Sequence, residues 1–154
     1  MKALTTSIRC LLIILSFLWL NACATSGELV RSYQAETSKP YADVLSELEI
    51  AISENNFRIT GHSRIGKVIR DRGTKDFPEY DTLQFCNLTH AKTLLKMSPH
   101  AVRYMPCNVV TYQFQGKTIV RTHLIPTNTD DMNFNRFALK MNSKLKDIVN
   151  FAVE

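Results

Sequence analysis

The sequence has little glycine and little proline, with five of each among 154 residues. Such low counts exclude a collagen-like repeat and a disordered chain rich in either residue. They also leave little glycine for a phosphate-binding loop, and the sequence contains no Walker, dinucleotide-binding or Gly-x-Ser-x-Gly motif. Hydrophobic residues make up 45% of the chain and charged residues 21%. These values suit one globular domain and exclude a multi-domain enzyme.

The sequence also lacks an apolar run of the roughly 20 residues that a membrane-spanning helix needs. Its long apolar run covers residues 10–20 and follows a segment, residues 1–9, that contains Lys2 and Arg9 but no acid. A basic segment followed by a short apolar run is typical of a signal peptide. We therefore expect residues 1–22 to be a cleaved leader rather than a permanent transmembrane anchor.

The apolar run ends in Leu20-Asn21-Ala22-Cys23, which resembles the lipobox of bacterial lipoproteins. The resemblance implies that Cys23 carries lipid after cleavage, and two or three acyl chains hold a protein firmly on a bilayer. Ala24 stands where the inner-membrane retention signal has Asp. We therefore expect an outer-membrane lipoprotein that faces the periplasm, with residues 23–28 as a tether. The alternative is an ordinary secretory peptide cleaved after Ala22 or Ala24.

Removal of residues 1–22 changes the charge and the cysteine count. It takes away two basic residues and no acid, so the net charge falls from +5 to +3. With Cys10 removed and Cys23 lipidated, only Cys86 and Cys107 remain. The mature chain is large enough to bury a core without disulfides, and we expect residues 29–154 to form a single domain.

Hydrophobic periodicity predicts the order strand, helix, strand, short helix, strand, helix, hairpin and helix. The hairpin is predicted at a tight Gln115-Gly116 turn, and Pro99 is predicted to stop the third helix. The last helix carries one apolar stripe of six residues: Phe134, Ala138, Met141, Leu145, Ile148 and Ala152. This order predicts an α+β domain, a mainly antiparallel sheet with helices on one face.

The residues around the two remaining cysteines resemble a known family. The segment Leu83-Gln84-Phe85-Cys86-Asn87 and the segment Met105-Pro106-Cys107-Asn108-Val109-Val110-Thr111-Tyr112 are similar to the motifs of the domain of unknown function 302 family. Leu88 replaces the proline that the family has after Asn87. The resemblance covers about residues 33–125. It implies a fold like half of the TATA-binding-protein architecture, and it implies no reaction.

Cys86 and Cys107 are the candidates for a disulfide or a redox pair. Cys86 closes one predicted strand and Cys107 opens another, so antiparallel pairing would bring both to one end of the sheet. In an oxidising periplasm a disulfide across this loop would contribute on the order of 3 kcal/mol. Two buried free thiols are the other structural interpretation. The Cys-x-x-Cys spacing that activates a redox thiol is absent.

A soft-metal site is a further interpretation of the same region. His90 lies four residues after Cys86, and Cys107 and Met105 would complete a set of four ligands suited to copper(I) or zinc. His90 could equally be a solvated residue in the first turn of a helix. His62, His100 and His123 lie in separate predicted elements, and no His-Glu-x-x-His motif joins them.

Six basic residues fall within 18 positions: Arg58, Arg64, Lys67, Arg70, Arg72 and Lys75. One interpretation is attraction to anionic lipid head groups beside the tether; the other is a solvated basic face. Nucleic acid is excluded as a partner, since the compartment is wrong and interleaved aromatic residues are absent.

Taken together, these patterns favour a membrane-anchored envelope domain that binds a small ligand or an envelope protein and has no catalytic residues. No cofactor is predicted, and a homodimer stays open. The alternative is a redox or soft-metal protein that uses Cys86 and Cys107.

Overall fold

The computed structural model describes residues 31–154 and shows a five-stranded antiparallel sheet. The strand order is β1-β5-β4-β3-β2, so β1 and β2 form the two edges. The strand bounds are β1 Ser32–Thr37, β2 Arg58–Ser63, β3 Tyr80–Cys86, β4 Cys107–Phe114 and β5 Lys117–His123. The signal peptide, the Cys23 lipidation site and the tether lie outside the described residues.

In the described part of the chain, three α-helices and one 3-10 helix connect the strands, and a fourth α-helix follows β5. Their bounds are α1 Tyr41–Glu54, α2 Ile65–Asp71, α3 Leu88–Met97, the 3-10 helix Pro99–Tyr104 and α4 Met132–Val153. Asn87 caps α3, since its side chain accepts a hydrogen bond from the His90 N–H. Asp131 caps α4 in the same way. None of the described helices is both long enough and apolar enough to cross a membrane.

The core lies between one face of the sheet and the three longer helices. Leu83, Phe85, Val109 and Val120 point from the central strands into this core, and each is at most 1% exposed. All six residues of the stripe predicted on the last helix are buried against them. The predicted α+β fold, an antiparallel sheet with helices packed on it, is therefore confirmed.

Helix α2 stands apart from this core and packs beside the start of β3. Its one buried residue is Gly66, and a Cβ there would lie 2.6 Å from both the Pro78 carbonyl oxygen and the Tyr80 nitrogen. Glycine is required because the helix backbone approaches another backbone this closely. The β4–β5 turn matches its prediction, with positive φ angles of 49° at Gln115 and 76° at Gly116.

The structure adds one element to the predicted order. Pro99 ends α3 as predicted, but the chain continues as a 3-10 helix because proline suits the first position of a new helical turn. This added element matters for the site, since the 3-10 helix borders the larger of the two cavities described below.

Candidate functional site

A cavity of about 370 Å³ lies at one end of the sheet. Antiparallel pairing brings together here the end of β3, the start of β4, the end of β5 and the start of β1. The pairs Gln84 with Asn108 and Ser32 with His123 mark this end. The volume falls within the range typical of small-molecule sites.

Three polar side chains form a row along one wall of the cavity. Gln84, Asn108 and His123 come from the neighbouring strands β3, β4 and β5. Val109 pairs with Thr122, so Asn108 and His123 are the next pair along the ladder. None of the three side chains has a hydrogen-bond partner among residues 31–154. Their polar atoms are therefore available to a ligand.

Basic side chains flank this row. Arg31 lies just before β1 and Arg103 lies on the 3-10 helix, and both line the cavity. The Arg31 guanidinium makes one side-chain hydrogen bond, 3.4 Å long, to Thr127 Oγ1. Within the described part of the chain, no Asp or Glu lines the cavity. The electrostatics of the cavity therefore favour an anion.

The remaining wall is apolar. It consists of Tyr104, Met105, Pro106, Leu124, Ile125, Pro126 and Leu145. Met105 and Pro106, joined by a cis peptide bond, connect the 3-10 helix to β4. A lining that combines a polar row with apolar side chains suits a ligand that is itself amphipathic.

Cys107 lies in the wall between this cavity and a second one of only about 20 Å³, which Cys86 also lines. Both cysteines are free thiols, so the structure contains no Cys86–Cys107 disulfide. Burial, with a smaller contribution from the neighbouring Cys86, raises the pKa of the Cys107 thiol to about 11. A thiol that stays protonated at neutral pH is a poor nucleophile and a poor metal ligand.

The four residues of the predicted metal site, Cys86, His90, Met105 and Cys107, all line the small cavity. However, residues 31–154 contain no group of three or more His, Cys, Asp or Glu side chains placed to hold a metal ion. His90 instead lies between aromatic rings, 6.1 Å from both Phe57 and Phe137 by ring centroids. Burial and the charges of Lys144 and Lys140 lower its pKa. Binding of copper(I) or zinc stays a prediction.

The six basic residues do not form one surface. Arg58 starts β2 at the cavity end, while Arg64 follows the other end of this strand, roughly 20 Å away, and Arg72 and Lys75 come after α2. Two of the six are already paired with acids: Arg70 bonds both carboxylate oxygens of Glu79 at 2.7 Å, and Lys67 bonds Asp71 at 2.6 Å. Attraction of these six residues to anionic lipid head groups stays a prediction.

The opposite end of β3 holds a polar cluster that is fully hydrogen-bonded. Asp81 is 6% exposed, and its carboxylate accepts from the Tyr41 hydroxyl at 2.8 Å and contacts His62 Nε2 at 2.7 Å. The Tyr41 hydroxyl also lies 2.9 Å from the Thr111 carbonyl oxygen. Burial and the hydrogen bond to Asp81 raise the pKa of Tyr41. No residue of this cluster lines either of the two cavities described above, and its hydrogen bonds serve the fold.

Sequence reasoning does not select five of the polar residues that line the large cavity: Arg31, Gln84, Arg103, Asn108 and His123. Gln84 and Asn108 belong to the two family motifs, which assign them no role. The alternation of β3 and β4 does place them on the face away from Leu83 and Val109. Their common location, however, depends on strand register and on the 3-10 helix, which periodicity does not reveal.

The fold and the cavity together define the class: a small α+β domain whose antiparallel sheet carries a ligand-sized cavity at one end. The chain belongs to the family described as domain of unknown function DUF302, whose model matches residues 33–152. The match includes α4, so the family domain extends beyond residue 125, where the recognisable sequence motifs end.

A solved structure shares this fold. The crystal structure of the uncharacterized conserved protein DUF302 from Bacillus stearothermophilus is 18% identical in sequence, with a TM-score of 0.69. The likeness covers 79% of this chain and 97% of the Bacillus protein. At this identity it shows the fold alone. No curated protein matches the chain.

Proposed function

We propose that this protein is a lipid-anchored envelope domain that binds a small anionic molecule in the cavity at the end of its sheet. The anchor is the lipid on Cys23, inferred from the sequence. The proposal assigns no reaction to the protein. The raised pKa of Cys107 supports binding rather than thiol chemistry, since a protonated thiol lacks the nucleophilic form.

The observation that carries the proposal is the lining of the cavity. Among residues 31–154, the Arg31 guanidinium has unused donors, the His123 imidazole has no hydrogen-bond partner, and no acid lines the cavity. Guanidinium groups bind carboxylates through paired, charge-assisted hydrogen bonds. The apolar wall beside these groups would accept the hydrocarbon part of the same molecule.

The binding test compares heptanoate with heptanamide, which has the same length but no charge. Calorimetric titrations would use the protein purified from bacterial membranes and held in lipid nanodiscs, with empty nanodiscs as the blank. We expect heptanoate to bind at least tenfold more tightly, since a hydrogen bond to a charged group contributes about 1.5–3 kcal/mol. Equal affinity for the two ligands, or binding of neither, would contradict the proposal.

The matched variants are Arg31→Gln and Arg72→Gln. Arg31 lines the cavity, whereas Arg72 is exposed at the end of α2. Arg31→Gln should remove the preference for heptanoate, and Arg72→Gln should leave it unchanged. If both variants bind heptanoate as the native protein does, Arg31 is not part of the site.

The anchor has its own test. Replacement of Cys23 by alanine should abolish incorporation of labelled palmitate and release the protein from the membrane fraction. If the Cys23→Ala protein stays in the membrane and still incorporates palmitate, the lipoprotein assignment is wrong. Fractionation of inner and outer membranes then tests the outer-membrane location for the native protein.

A further inference from the structure

The polar row of the cavity indicates more about the ligand than its charge. Gln84, Asn108 and His123 stand on three adjacent strands, which are about 4.8 Å apart, so the row is about 10 Å long. A simple alkyl carboxylate would use the flanking arginine and leave most of this row unpaired. Polar groups that a ligand covers without pairing them cost binding free energy.

The chemistry of the row matches an amide. Each carboxamide of Gln84 and Asn108 offers both an N–H donor and a carbonyl acceptor. A secondary amide in the ligand presents one donor and one acceptor in opposite directions. It can therefore bond with two neighbouring carboxamides of such a row, while an alkyl chain can bond with neither.

Gln84 has a local reason for its position. It stands opposite Gly61 in the β2–β3 ladder, at the irregular step of β2 between Ile59 and Gly61. A Cβ on residue 61 would lie 2.8 Å from Gln84 Oε1. Gly61 therefore leaves the space that the Gln84 carboxamide occupies at the end of the row.

From this geometry we infer that the ligand is an acylated amino acid or the carboxyl end of a short peptide. Its carboxylate would lie between Arg31 and His123, and its amide next to Asn108, within reach of the Gln84 carboxamide. This inference rests on the proposed function, because it assumes that the cavity binds an anion. It narrows the ligand class from any small anion to one whose carboxylate is followed by a secondary amide.

The test compares heptanoate with N-butanoylglycine, which has the same chain length and an amide in place of two methylenes. Both are titrated into the native protein in nanodiscs. We expect N-butanoylglycine to bind about tenfold more tightly, although it is the less apolar ligand. Heptanoate binding as tightly as N-butanoylglycine, or more tightly, would overturn the inference.

Three variants provide an independent test of the ligand class. Asn108→Leu and Gln84→Leu each remove a carboxamide at similar volume and should lower the affinity for N-butanoylglycine without lowering that for heptanoate. Gln34→Leu is the control, since Gln34 is exposed on β1 and does not line the cavity. If both cavity variants still bind N-butanoylglycine more tightly than heptanoate, as the native protein should, the inference is overturned.

These outcomes separate the inference from the proposed function. If neither heptanoate nor N-butanoylglycine binds, the proposed function fails. If heptanoate binds better than heptanamide but the amide of N-butanoylglycine adds nothing, only the inference fails. The tripeptide Ala-Val-Gly distinguishes the two ligand sources: affinity equal to that of N-butanoylglycine supports a peptide end, and weaker affinity supports an acylated amino acid.

Discussion

Polar side chains at the two ends of the central strands differ in their hydrogen bonding. At the start of β3, Asp81 is buried with both carboxylate oxygens occupied, by Tyr41 and His62. At the end of the same strand, the side chains of Gln84 and its neighbour Asn108 line a cavity and have no hydrogen-bond partner among the described residues. The difference shows that the role of a polar residue in this fold depends on whether its side chain is hydrogen-bonded within the protein or lines a cavity. The first end stabilises the fold, and the second is available for binding.

The largest effect is expected at the Asp81 end. Asp81→Leu removes the partner of Nε2 in the half-buried His62 side chain and one partner of the Tyr41 hydroxyl. An unsatisfied buried group costs about 1–3 kcal/mol, so we expect a loss of about 2–4 kcal/mol in the free energy of unfolding. Urea denaturation measures this loss. A decrease below about 1 kcal/mol would show that the cluster does not stabilise the fold.

As pH rises, Cys107 at the cavity end should lose its proton before Tyr41 at the Asp81 end does. The pKa of Cys107 is about 11 in the folded protein and 9.0 as its ordinary value. Between these values the unfolded chain binds fewer protons than the folded chain, so stability falls as pH rises. A shift of this size corresponds to a loss on the order of 2 kcal/mol by pH 11. Tyr41, whose pKa is also raised, adds a further loss above about pH 10.

Cys107→Ala is the matched variant for this pH dependence. It removes the titrating thiol, so its stability should stay level between pH 9 and pH 10, where the native protein already loses stability. Tyr41→Phe should instead remove only the further loss that Tyr41 adds above about pH 10. Thermal unfolding recorded over this pH series gives both results. If Cys107→Ala follows the native curve, the thiol is not the group responsible.

The smallest effect on stability is expected at the polar row. Gln84→Leu replaces an exposed side chain that has no hydrogen-bond partner in the described part of the chain, so the free energy of unfolding should change by at most about 0.5 kcal/mol. The same substitution type on the same strand, Asp81→Leu, is the direct comparison. A loss at Gln84 as large as that at Asp81 would remove the distinction between the two ends.

The sequence predicts the fold better than the site because periodicity reports burial. The stripe on α4 and the alternation of Leu83 with Phe85 are sufficient to identify the face of each element that packs into the core. The turn at Gln115-Gly116 is likewise local chemistry. By contrast, the row of Gln84, Asn108 and His123 forms only because three strands pair in one register. The register of a strand pair cannot be predicted from the sequence of a single segment.

For Cys86 and Cys107, the sequence likewise predicts their location but not the state of their thiols. Antiparallel pairing predicts that both lie at one end of the sheet, and both line the small cavity there. The state of the thiols depends on their exact separation and burial, which spacing along the chain does not determine. The structure has them free, and Cys107 becomes a wall of the larger cavity.

The most direct measurement is a nuclear magnetic resonance titration of the isotope-labelled protein with N-butanoylglycine, followed at the side-chain amide signals of Gln84 and Asn108 and at the His123 ring. We expect saturable shifts at these signals, while the His62 ring beside Asp81 stays unchanged. Unchanged signals at the row, or shifts of equal size at His62, would contradict binding in the cavity.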